Sequence, residues 1–80
     1  MNIVTAVRTR TKELLAERNI SLYKLERVDG ISPNTTKDLM SEKNKSVNLK
    51  TVMQIIRAFE MTTSEFFNSP LFESDDLDID

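Results

Sequence analysis

The sequence predicts an all-α domain of five helices. Apolar residues recur at helical spacing, four internal helix-start signals are present, and strand-like alternation is weak. Eighty residues and 9.2 kDa hold one small domain with a modest core. No internal repeat is evident.

The first helix spans Ile3 to Arg18. Its apolar positions are Ile3, Val4, Val7, Leu14 and Leu15, with Thr11 on the same stripe. Arg8, Arg10, Lys12, Glu13 and Glu17 are expected on the opposite face, and Asn19 ends the helix as a residue that tolerates the left-handed region. Ser21 caps a second helix over 21–28, with Ile20 and Leu25 as a hydrophobic staple and Leu22, Leu25 and Val28 as its buried side. Asp29-Gly30 stops it, because Gly30 can take the positive φ of a tight turn.

Ser32-Pro33 starts the third helix, which runs to about Ser41. Ser caps the free N–H groups and Pro at the first helical position has its φ already set. Leu39, Met40 and, less comfortably, Thr36 face inward, leaving Asn34, Lys37, Asp38 and Ser41 outside. After a polar loop over 42–48, Asn48 caps the fourth helix with Val47 and Val52 as its staple. Leu49, Val52, Ile55, Ile56 and Phe59 form the strongest helical stripe in the chain. Thr62-Thr63-Ser64-Glu65 is a capping box with Met61 and Phe66 as its staple. It opens a fifth helix over about 63–68, and Pro70 ends it. The segment 73–80 holds five acids in eight positions and is too polar to pack alone. The expected organisation is therefore a domain over 1–69 and an acidic tail over 70–80.

Composition excludes most catalytic chemistry. There is no Cys and no His, so disulfides, thiolate sites, His-based dyads and His-ligated metals are absent. The single glycine excludes a phosphate-cradling Gly-rich loop. The remaining carboxylates, Lys43, Lys45 and Tyr23 offer no suggestive pairing, so neither an enzyme nor a cofactor is expected. No apolar run approaches the ~18 residues of a membrane span. The chain reads as cytoplasmic, with no membrane partner.

Charge is unevenly distributed. Residues 1–60 carry all eleven Lys and Arg against seven acids, a balance of +4; residues 61–80 carry six acids and no base, a balance of −6. A basic body with an acidic end suits a protein that meets a polyanion.

Two short helices, 21–28 and 33–41, joined by a tight turn containing Gly30, are the local signature of a helix-turn-helix. From Val7 to Phe67 the sequence resembles the Cro/C1-type (XRE) helix-turn-helix domain of phage and bacterial repressors. Carriers of the resemblance are Arg18-Asn19-Ile20-Ser21, Leu25, Gly30-Ile31-Ser32, Thr35, Leu39, Lys43-Asn44-Lys45-Ser46, Leu49-Lys50-Thr51-Val52, Ile55, Ala58-Phe59 and Met61 to Phe67. The order and spacing of these elements, rather than any one of them, are specific. Five positions depart from the pattern. Leu22 replaces a frequent Gln, Glu26 a small residue, and Thr36 an aliphatic one. Leu15 and Met40 match the places of an Arg–Glu pair that often links helices 1 and 3.

The resemblance implies a five-helix, lambda-repressor-like fold that binds duplex DNA with the third helix in the major groove. It further implies base reading by Pro33, Asn34, Lys37 and Asp38. Asn suits adenine N6 and N7, Lys suits guanine O6 or N7, ionised Asp accepts only from cytosine N4, and Pro touches a thymine methyl. Phosphate contacts are expected from Ser21, Tyr23, Thr35, Ser41, Lys43, Asn44 and Lys45. Tyr23 has an equal alternative in packing on the first helix. Phe59 and Phe66 are expected in the core. Phe67, Leu71 and Phe72 exceed what that core needs and suit either a dimer seam or cover for the bundle's end. A module of this size reads few base pairs, so a homodimer on a roughly palindromic operator is expected. No small-molecule effector is expected. The competing expectation is a protein-interaction module of the same fold, antitoxin-like or regulatory, suggested by the overall acidity, Leu22, Glu26 and Asp38.

Overall fold

The computed structural model describes residues 1–43 and 46–73. It contains five α-helices, α1 Ile3–Arg18, α2 Leu22–Val28, α3 Pro33–Met40, α4 Leu49–Ala58 and α5 Thr63–Phe67, followed by one 3₁₀ turn, Pro70–Phe72. No β-strand occurs among the described residues. The acidic residues 74–80, with Asn44 and Lys45, lie outside them.

Every helix starts where a side chain accepts a main-chain N–H. Asn2, Ser21, Ser32, Asn48 and Thr62 cap α1 to α5 in turn. At α5 the box is reciprocal: Thr62 Oγ1 accepts from the Glu65 N–H at 3.1 Å and Glu65 Oε1 accepts from the Thr62 N–H at 2.9 Å. These main-chain and side-chain bonds to Thr62 hold the Glu65 carboxyl below the usual carboxylate range.

Three helices also end alike. After α1, α2 and α4 the chain passes through a left-handed residue, Asn19, Gly30 and Glu60, with φ of 54°, 63° and 57°. The next residue then returns its N–H to a carbonyl five positions back: Ile20 to Leu15, Ile31 to Glu26 and Met61 to Ile56. Each such residue is apolar and folds back against the core. Asn19 and Gly30 are ordinary occupants of that conformation. Glu60 is not.

The core gathers Val7, Leu14, Leu25, Ile31, Leu39, Val52, Ile55, Ile56, Phe59 and Phe66. Within it α1 packs on α3 and on the 3₁₀ turn, α2 on α3 and α4, and α4 on α5. Two expected core residues stay outside. Val28 is 55% exposed, because the turn after α2 brings Ile31 over the helix end in its place. Leu49 is 72% exposed: it opens α4 on the outer side of the helix, while Thr51 and Val52 of the same turn are buried.

Helix α1 departs most from expectation. Arg8, expected on a solvated face, is only 6% exposed. Its Nε donates to the Leu39 carbonyl and its Nη2 to the Ser41 carbonyl, both at 2.7 Å. Arg10 is half-buried, donating to the carbonyls of Phe66 at 2.7 Å and Glu65 at 3.0 Å. Arg18 donates to the Phe59 carbonyl. Three guanidinium groups of one helix thus donate to carbonyls at the ends of α3, α5 and α4, where a cation also opposes the negative end of the helix dipole. Leu15 and Met40 are half-buried against the core. The polar tie between α1 and α3 is made by Arg8 instead, through the main-chain carbonyls of Leu39 and Ser41.

Phe66 is fully buried and its ring meets Phe67 edge-on at 5.1 Å. Phe67 meets Phe72 at 4.8 Å, also edge-on. Past α5 the structure adds the 3₁₀ turn, where the sequence predicts only a stop at Pro70. Pro70 opens it with Ser69 as its cap, and the folded body continues through Phe72.

Candidate nucleic-acid interface

The turn between α2 and α3 is short because it is closed from both sides. The Ile31 N–H bonds to the Glu26 carbonyl at 2.8 Å, and the Ser32 carbonyl accepts from Thr35 at 2.9 Å and Thr36 at 3.3 Å. The two helices meet through buried Leu25, Ile31, Thr36 and Leu39. Across that contact the Thr36 hydroxyl donates to the Glu26 carboxylate. Two of the departures from the resembled pattern are therefore partners: a carboxylate in place of a small residue meets a hydroxyl in place of an aliphatic one.

With Thr36 and Leu39 turned inward, α3 offers its other side to solvent. Asn34, Lys37 and Asp38 are all exposed, and their spacing of three and four residues puts them on one face. Pro33 is exposed at the head of the helix, while Thr35 is half-buried on its flank. The four expected base readers are thus together on one short helix.

The expected phosphate contacts are more scattered. Ser21 is exposed at the start of α2, its Oγ accepting from the Lys24 N–H at 3.1 Å. Tyr23 is 54% exposed and does not take the alternative of packing into α1. Its hydroxyl accepts from Arg27 Nη1 at 2.8 Å, and the guanidinium lies 5.6 Å from the ring centre. Ser41 is half-buried at the end of α3, its carbonyl taken by Arg8 and its Oγ accepting from the Lys43 N–H at 3.3 Å. Lys43 is exposed.

A cavity of about 320 Å³ separates α3 from the start of α4. It brings Thr35 and Asp38 together with Ser46, Asn48 and Thr51. In the sequence Asn48 reads only as a cap, and no local signal connects Ser46 with α3. Two exposed cations not among the expected contacts are Lys50, in the first turn of α4, and Arg27. Arg27 had a visible signal, its spacing of four from Tyr23 on one helix. Arg57, also exposed, pairs with Asp29 at 3.2 Å; so open an ion pair contributes little to stability.

Among the described residues no group of His, Cys, Asp and Glu is arranged to hold a metal ion. No helix among them is long and apolar enough to cross a membrane.

A short turn between two packed helices, an exposed face on the second and three further helices behind them define a helix-turn-helix bundle. Residues 10–70 match the family model of the Cro/C1-type HTH DNA-binding domain, and the chain belongs to that family. It is a DNA-binding domain of the kind used in transcription regulation. Searches of curated proteins and of solved structures returned no match.

Proposed function

We propose that the protein is a small, sequence-specific transcriptional regulator acting as a repressor. It binds a roughly palindromic operator as a homodimer, with α3 of each copy in the major groove. The observation that carries this reading is the exposed set Asn34, Lys37 and Asp38 on one face of α3, opposite the buried Thr36 and Leu39. In this reading Asn34 pairs with adenine, Lys37 with guanine and Asp38 with cytosine, and Pro33 meets a thymine methyl. Ser21, Tyr23, Thr35, Ser41 and Lys43 hold the phosphates on either side. Asn44 and Lys45, assigned the same role, lie outside the described residues. Arg27 and Lys50 join the phosphate set because both are exposed cations, one beside Tyr23 and one beside the cavity flanking α3. The half-buried Phe67, Leu71 and Phe72 contribute their open sides to the dimer seam. The protein acts by occupying DNA, not by catalysis.

Two features that suggested a protein-interaction module have local structural roles. Leu22 packs against the core, and the Glu26 carboxylate accepts from Thr36.

Selecting bound sequences from a random duplex pool, then titrating the winner against salt, tests the proposal. The expected result is a two-half-site consensus whose affinity falls steeply with salt. If neither selected nor random duplexes bind at low salt, the reading is wrong.

A further inference from the structure

We propose that Glu26 and Thr36 form a positioning link that fixes how α3 presents its reading face, so that Glu26 sets the ratio of specific to general DNA binding. The proposal rests on the reading above, in which α3 enters the major groove.

Among the buried side chains of the helix-turn-helix, Leu25, Ile31, Thr36 and Leu39, only Thr36 carries a polar atom. Its hydroxyl has one hydrogen and two acceptors in reach: Glu26 Oε2 on α2, and the Pro33 carbonyl at 3.1 Å within its own helix. The charged acceptor is the stronger one. With the hydrogen on Glu26, the first turn of α3 is tied to α2. With the hydrogen on Pro33, the bond is local and ties nothing across the turn.

Glu26 is anchored at both ends. Its carbonyl takes the Ile31 N–H that closes the turn, and its carboxylate takes Thr36. One residue thereby fixes both the turn and the helix that follows it. Apolar packing at this contact is non-directional and leaves α3 freer to roll or slide; a directional bond near its first turn removes that freedom.

The carboxylate also brings a negative charge to the end of α3 that carries Pro33 and Asn34. Repulsion from phosphate acts on every duplex alike, whereas a fixed helix register favours only matched bases. Glu26 therefore weakens binding to every duplex through its charge, while its link to Thr36 preserves the advantage of the matched one.

Four variants separate these effects: E26Q, E26A, T36S and T36V. Dissociation constants are measured for the selected duplex and a random duplex, below the unfolding midpoint of every variant. E26Q keeps an acceptor and removes the charge, so both duplexes bind more tightly and their ratio is kept. E26A removes charge and acceptor together. It still folds, because the Thr36 hydroxyl falls back on the Pro33 carbonyl, but the ratio narrows by about tenfold, roughly the value of one base contact. T36S retains the ratio, and T36V narrows it as E26A does. Equal ratios for E26A and E26Q, with the unaltered chain binding DNA, overturn the link alone. Absence of any duplex binding by the unaltered chain overturns the DNA reading beneath it.

Discussion

The Nε of Arg8, in the first half of α1, donates to the carbonyl of Leu39 in the last turn of α3 at 2.7 Å. The same side chain reaches the Ser41 carbonyl, so one nearly buried cation closes the end of the helix proposed to read DNA. Arg8→Ala leaves those carbonyls without their charged donor and removes two charge-assisted bonds. A loss of about 3 kcal/mol is expected in urea unfolding. Arg10→Ala and Arg18→Ala, at more open sites, are expected to cost nearer to ~1 kcal/mol. Equal losses at all three positions would show that burial is not what distinguishes Arg8.

Lys37 and Lys43 should fail in different ways. Lys37→Ala relaxes preference at one base position in each half-site. Lys43→Ala weakens all sequences alike and lowers the slope of log affinity against log salt by about one. Repeating the pool selection and the salt titration with each variant checks this, and matching effects from the two changes would contradict the assigned geometry.

The α5 capping box makes part of the stability depend on pH. Because the Glu65 carboxyl is held below its ordinary value of 4.5 in the folded chain, ionisation favours folding. The contribution is complete above that ordinary value and is lost as pH falls through the lower folded value. Thermal unfolding of the unaltered chain and of Glu65→Gln should therefore differ most near neutrality and converge in acid. A difference that grew on acidification would refute the assignment.

Gly30 and Glu60 occupy the same left-handed conformation with opposite expectations for substitution. Gly30→Ala meets no neighbouring atom within 4 Å, so only the backbone conformation costs, by about 1 kcal/mol. Glu60→Gly relieves that cost and should raise stability by ~0.5–1 kcal/mol. Paired unfolding midpoints settle the two signs.

The legible parts of the fold were those coded within a few residues. Ser21, Ser32-Pro33, Asn48 and the Thr62–Glu65 box each place a helix start because cap and acceptor are neighbours in sequence. The burial of Arg8 was not legible, because the main-chain carbonyls it reaches lie 31 and 33 residues away, and every residue has a carbonyl. Glu60 gave no signal because Glu has no preference for the left-handed region. For the candidate interface, the exposed face of α3 followed from helical spacing. The pairing of Glu26 with Thr36 did not, since each departs from the family pattern alone and only the packed helices bring them together.

The arginine anchors on α1 also bear on how the chain acquires its fold during synthesis. Arg8, Arg10 and Arg18 leave the ribosome early, yet their acceptors follow 31 to 56 residues later. At typical elongation rates the 56 residues from Arg10 to Phe66 take roughly 3–11 s. Arg8, Arg18 and Arg10 stay hydrated until Leu39 and Ser41, then Phe59, then Glu65 and Phe66 have been made in turn. Helix α1, made before the helices it anchors, is thus among the last to be fastened.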